Sequence, residues 1–218
     1  MYGAACELNL DENSRILEIG CGEGDTLARI AEHCGCECIG IDKSKELIRK
    51  AREKHASRDL RLKFTDAPAN KNGAHTNTDA PAHENEAPAI PALRESASSF
   101  DAIIMECVLS VSGDSEATFG EYATALKTGG HALISDLCER DGRPDELIEN
   151  ARKNGLRLIS LRDHTADLDS FAIQKIMEYG SLENYFNATV PKGANRCDFF
   201  PASTRPPGYF LAIFQRLP

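Results

Sequence analysis

The sequence predicts a doubly wound α/β fold: a mostly parallel seven-stranded sheet with helices on both faces. Three observations carry this. Apolar runs of strand length alternate with stretches whose apolar residues recur at helical spacing, the pattern of parallel strands joined by covering helices. The first apolar run, Arg15–Ile19, breaks into a glycine-rich turn, Gly20-Cys-Gly-Glu-Gly24, and the second ends on an acid, Asp42. Crossovers between parallel strands are right-handed, so such a sheet is doubly wound.

The elements follow in order. Arg15–Ile19 reads as a buried strand, and Asp25 or Thr26 can cap the helix after the glycine turn, with Leu27, Ile30 and Ala31 on one face. Residues 36–41 form the second strand, 44–55 a helix with Leu47, Ile48 and Ala51 inward, and 60–65 the third strand. Residues 67–99 are rich in Ala, Pro, Asn and His with no structural period, and read as a flexible insertion. Strand four spans 100–109, a helix 116–126, a turn 127–130 and strand five 131–135. Pro144 opens the next helix at its favoured early position, and Gly155 stops it. Strand six covers 156–161, a helix 166–179, and the last strand 209–215, with a hairpin edge expected from the last two strands. Residues 164–208 carry Phe171, Tyr179, Tyr185, Phe186, Phe199 and Phe200, and are expected to form a small helical or loop decoration that acts as a lid.

The bulk properties bound the function. The chain has 218 residues, 41% of them apolar, which suits a single domain over 1–218 with a buried core. No apolar run approaches the roughly 20 residues a spanning helix needs, and residues 1–14 show no basic-then-apolar leader, so a cytoplasmic protein without membrane partners is expected. The net charge is −9, from 34 acids and 25 bases. Such a surface repels phosphate backbones, so no nucleic acid partner is expected. The basic stretch from Lys43 to Lys54 is interleaved with Glu46 and Glu53 and reads as a solvated helix face. Eight cysteines occur without a CxxC pair, and neither a metal site nor a disulfide framework is expected.

The glycine turn is the first chemical signal. Glycines let the backbone approach a ligand without Cβ clashes, and the helix that follows offers unpaired amides and partial positive charge. Dinucleotide sites space their glycines G-x-G-x-x-G. Here the third glycine falls one position early, at Gly24, and Asp25 would oppose a pyrophosphate. Asp42 ends strand two, where a carboxylate can accept hydrogen bonds from both hydroxyls of a ribose.

Glu18-Ile-Gly-Cys-Gly-Glu-Gly24 resembles motif I of the class I methyltransferases that use S-adenosylmethionine (SAM). Asp66-Ala67 after strand three, Phe100-Asp101 at the start of strand four, and Leu126-Lys-Thr-Gly-Gly130 before strand five are similar to that family's later motifs, in the same order. Thr128 stands where the family usually has proline. The resemblance covers about residues 15–66 and 100–136, and implies a Rossmann-like sheet with SAM as cofactor. It assigns cofactor contacts to Glu18, Gly20, Cys21, Gly22, Gly24, Asp42, Lys43, Asp66, Ala67 and Glu106, with the adenine at Asp66 and Ala67. The N-P-P-[YF] signature of amino-group nucleic-acid methyltransferases is absent: Met105-Glu-Cys-Val108 stands there.

Methyl transfer from a sulfonium needs mainly alignment, and a general base only where the nucleophile carries a proton. Cys107, Ser110, Asp136 and His164, with Cys138, fall where a substrate would lie, and no single catalytic residue is assigned. The expected activity is SAM-dependent methylation of a small-molecule acceptor. A catalytically inactive SAM-binding partner protein, or an NAD-dependent oxidoreductase, is the alternative.

Overall fold

Each expected strand forms in the computed structural model, which describes residues 1–66, 98–112, 116–189 and 206–218. The elements are α1 (Tyr2–Cys6), β1 (Arg15–Ile19), α2 (Asp25–Cys34), β2 (Glu37–Asp42), α3 (Lys45–His55), β3 (Leu62–Asp66), β4 (Phe100–Glu106) and α4 (Leu109–Ser112). They continue with α5 (Glu116–Ala125), β5 (Leu126–Cys138), α6 (Asp145–Lys153), β6 (Leu156–Asp163), α7 (Thr165–Tyr179), α8 (Leu182–Thr189) and β7 (Gly208–Arg216).

The seven strands form one sheet in the order β3-β2-β1-β4-β5-β7-β6. Pairings among the first five strands are parallel, while β7 runs antiparallel to β5 and β6. Strand order therefore reverses beside β1, which has β2 on one side and β4 on the other. In open α/β sheets that reversal opens a crevice at the carboxyl ends of the strands. Side chains alternate between two apolar layers. Leu17, Ile103 and Ile134 pack against Phe119 of α5 and Leu147 of α6. Ile16, Ile104 and Leu133 face Leu27 and Ile30 of α2 and Ile48 of α3, with Ala4 and Ala5 of α1 in the same layer. Burying these side chains is the main driving force for the fold.

Several boundaries differ from the sequence reading, each for a physical reason. Strand four stops at Glu106 instead of reaching 109, because the buried Asp136 carboxylate accepts the amides of Leu109 and Ser110 and starts α4 there. Residues 127–130 are not a separate turn: they bulge within β5, where the partner of β4 jumps from Leu126 to His131 between Phe100 and Ala102. Pro144 sits one position before the helix, as the N-cap of α6. Ser44, by contrast, caps α3 and accepts the Leu47 amide. Helix α1 was not expected. The last two strands pair antiparallel, but α7 and α8 separate them in sequence; β7 lies inside the sheet and β6 forms its edge.

A disulfide joins Cys34 to Cys36, a single local link and not a framework, and the Cys38 sulfur lies 3.5 Å from that of Cys36. It spans the Gly35 turn between the last residue of α2 and the residue before β2. The expected insertion lies outside the described residues except for Ser98 and Ser99. Residues 190–205 of the expected lid, with Cys197, Phe199 and Phe200, also lie outside them. Among the described residues no helix is long and apolar enough to cross a membrane.

Candidate functional site

The glycine turn leaves β1 and is laced to the end of β2. The amides of Gly20 and Cys21 both donate to the Ile41 carbonyl, at 2.8 and 3.0 Å. Gly20, Gly22 and Gly24 all take positive φ, at 72°, 54° and 79°. The three glycines do different work. A Cβ at Gly20 would sit 2.6 Å from Val108, and one at Gly24 would sit 2.4 Å from the Phe64 ring, so these two let the turn pack. A Cβ at Gly22 would meet nothing within 4 Å, so this glycine faces the open space in which a ligand can lie.

Acids surround that space. Glu18, Asp42 and Glu106 share one sheet face: Glu18 is in register with Gly40 and Ile104, each two residues before an acid. Asp42 is 9% exposed; one carboxylate oxygen accepts the Gly22 amide at 2.9 Å and the other the Ser44 amide at 2.8 Å. Each oxygen keeps a lone pair for a hydroxyl donor. Asp66 lies beside Asp42 in register on β3. Glu106 ends β4 and accepts from the Thr26 hydroxyl across the turn at 3.5 Å. Glu18 is 3% exposed, and its Oε2 has no hydrogen-bond partner among the described residues. Burial, then the charges of Glu106 and Asp42, push its pKa well above the usual carboxylate range.

The profile of a methyltransferase domain matches residues 10–181. The chain belongs to this methyltransferase-domain family. A phosphoethanolamine N-methyltransferase of Triticum aestivum is 27% identical over 139 residues, 64% of this chain. The chain spans only 23% of that relative's length. Among solved structures, phosphoethanolamine N-methyltransferase 2 of Haemonchus contortus, with S-adenosylhomocysteine and phosphomonomethylethanolamine bound, superposes with a TM-score of 0.69. It is 16% identical, and the match covers 100% of this chain and 52% of that one. The [4+2]-cyclase SpnF superposes with a TM-score of 0.67 at 19% identity, over 99% of this chain and 79% of its own. Likeness at such identity speaks to architecture, and chemistry is argued from the site.

The geometry brings together most of the residues expected to hold a cofactor. Glu18, Gly20, Gly22, Gly24, Asp42, Asp66 and Glu106 meet at the strand-order reversal. Cys21 contributes its backbone, but its thiol is buried under the turn, where a Cβ at Gly40 would lie 2.8 Å from the sulfur. Lys43 is exposed beside Asp42, and Ala67 lies outside the described residues. These residues fit SAM: an orphaned buried carboxylate oxygen matches a cationic ligand, and the void over Gly22 leaves room for it.

The substrate-facing candidates divide. Both carboxylate oxygens of Asp136 accept backbone amides, those of Leu109 and Ser110 on one and that of Leu137 on the other, so this side chain caps α4. Ser110 is exposed in α4. His164 precedes α7, with Nδ1 2.6 Å from Asp167 and its amide bonded to the Tyr209 carbonyl. Cys138 ends β5 opposite Gly208. Cys107 follows β4 with its sulfur 3.6 Å from the Tyr209 hydroxyl, which itself donates to Ser135 at 2.9 Å. Sequence reasoning missed Tyr209 and Ser135. Both sit in apolar strand runs, and only the β5–β7 pairing brings them to the rim. The one available signal was a lone tyrosine opening an otherwise apolar final strand.

Proposed function

We propose that this protein transfers the S-methyl group of SAM to a small-molecule acceptor, at the rim formed by β1, β2 and β4. One observation carries the reading: the unpartnered, buried Glu18 oxygen beneath a glycine whose Cβ position is open, with Asp42 and Glu106 on the same face. Uncompensated acid in a crevice is expensive unless a cation completes it. SAM, when bound, supplies a methyl group already activated by its sulfonium charge. The protein's residues then have three tasks. Asp42 holds the ribose hydroxyls at the end of β2, as a charge-assisted and bidentate partner. Glu18, once the cation displaces its proton, and Glu106 balance positive charge beside the turn. The strand ends beyond Glu106 align the acceptor.

The glycine register and Asp25 disfavour a dinucleotide, which would bring a pyrophosphate to a carboxylate. The name of the wheat relative supports a small amine-bearing acceptor. The test is methyl transfer from tritiated SAM to a panel of small amines, alcohols and thiols, phosphoethanolamine included. The reading expects label in one acceptor with equimolar S-adenosylhomocysteine, abolished in Asp42→Ala. SAM bound tightly with no transfer to any member would favour a binding-only protein.

A further inference from the structure

Next to the acids, the rim becomes neutral. Ser135 on β5 is in register with Glu106 and 2% exposed, and it accepts the Tyr209 hydroxyl proton at 2.9 Å. The Cys107 sulfur lies 3.6 Å from the same phenol oxygen. Two hydroxyls and a thiol thus converge from β5, β7 and the residue after β4 beside the last acid of the cofactor cluster. The backbone of Tyr209 is clamped: its amide donates to the Thr165 hydroxyl at 3.0 Å and its carbonyl accepts the His164 amide at 2.8 Å. Cys107 is held at a φ of 53°, a left-handed conformation uncommon for a residue with a side chain.

We propose that Tyr209 contacts the methyl acceptor, and that its phenol oxygen accepts a hydrogen bond from the N–H of a small amine. This rests on the methyltransferase reading of the same rim. The phenol proton is committed to Ser135, so the Cys107 thiol donates to one phenol lone pair and the other is left for the acceptor. Burial, then the neighbouring Cys107, raises the pKa of the phenol, which therefore stays protonated and is no general base. A hydroxyl acceptor would need such a base, whereas an amine in its free-base form brings its own lone pair. That lone pair forms the N–C bond, the C–S electron pair stays on sulfur, and the methylated ammonium sheds a proton to water. Positive charge moves toward nitrogen during the step, and Glu106 next to Ser135 favours it there.

Adenosyl probes that carry an arm in place of the methyl group test this without knowledge of the natural acceptor. Three arms of equal length are compared by calorimetry: a primary amine, a hydroxyl and a plain hydrocarbon. The amine arm is expected to bind the wild type at least fivefold more tightly than the hydrocarbon, and more tightly than the hydroxyl. In Tyr209→Phe the amine preference should fall below twofold while S-adenosylhomocysteine binds as before. Ser135→Ala, which releases the phenol proton, should reduce the same preference and serves if the first variant does not fold. Equal binding of the arms to the wild type, a hydroxyl preference, or an amine preference that survives both substitutions would overturn the proposal. Failure of S-adenosylhomocysteine to bind the wild type would instead overturn the cofactor reading beneath it.

Discussion

The Glu18 carboxylate is buried beside Glu106 and Asp42, so the folded chain holds a proton that the unfolded chain releases in the ordinary glutamate range. Stability of the ligand-free protein therefore falls as pH rises from that range through the raised pKa. Glu18→Gln removes the penalty. The variant should melt with the wild type in acid and above it at pH 8, by thermal unfolding across pH. It should also weaken SAM by about 10-fold or more, since a charge-assisted contact is worth about 1.5–3 kcal/mol. A variant that melts below the wild type at pH 8, or binds SAM unchanged, contradicts this account of the residue. The glycines give a second contrast. Gly22→Ala places a methyl group in open space at a φ of 54° and should destabilise by only about 1–2 kcal/mol while impairing SAM binding. Gly24→Ala drives a methyl group into the Phe64 ring, so its main effect should be a lower melting temperature, by roughly 2–4 °C per kcal/mol.

At the scale of elements, two acids outside the Glu18, Asp42 and Glu106 cluster serve the fold. Asp101 starts β4 and binds the Arg15 amide at 2.8 Å and the Lys127 ammonium at 2.8–2.9 Å, at the opposite end of the sheet from the glycine turn. The Phe-Asp and Leu-Lys motifs thus meet in one clamp. Asp101→Ala should lower stability by about 1 kcal/mol with SAM affinity intact. Asp136→Ala strips the cap from α4 and should destabilise by about 1–2 kcal/mol in denaturant unfolding. Distance along the chain explains what was legible in the sequence. The turn at Gly20–Gly24, Asp42 and the parallel strands are local patterns, and they could be read directly. The end of β4 could not, because Asp136 lies 26–27 residues from the amides it captures. Tyr209 was hidden for the same reason: its partner Ser135 is 74 residues away. Helix α1 is five residues long and too short to show a period; its packing on α2 defines it.

Over the whole molecule, the order of the last strands makes the C-terminal segment part of the core. β7 lies between β5 and β6, and residues 210–214 are all buried. Deleting residues 206–218 would leave β6 with no neighbour in the sheet and strip Phe210 and Phe214 from the core, so the truncated chain should be insoluble or lack a cooperative unfolding transition by circular dichroism. The sheet exists, on this account, to hold an acidic crevice open for one cationic nucleoside. Thermal unfolding with SAM, S-adenosylhomocysteine or NADH, on the wild type and Asp42→Ala, tests that most directly. At a hundredfold excess over Kd a ligand adds about 2.7 kcal/mol of stability, which here corresponds to a rise of several degrees. The account predicts that rise with SAM and S-adenosylhomocysteine, none with NADH, and its loss in Asp42→Ala. A rise with NADH and none with SAM would contradict it.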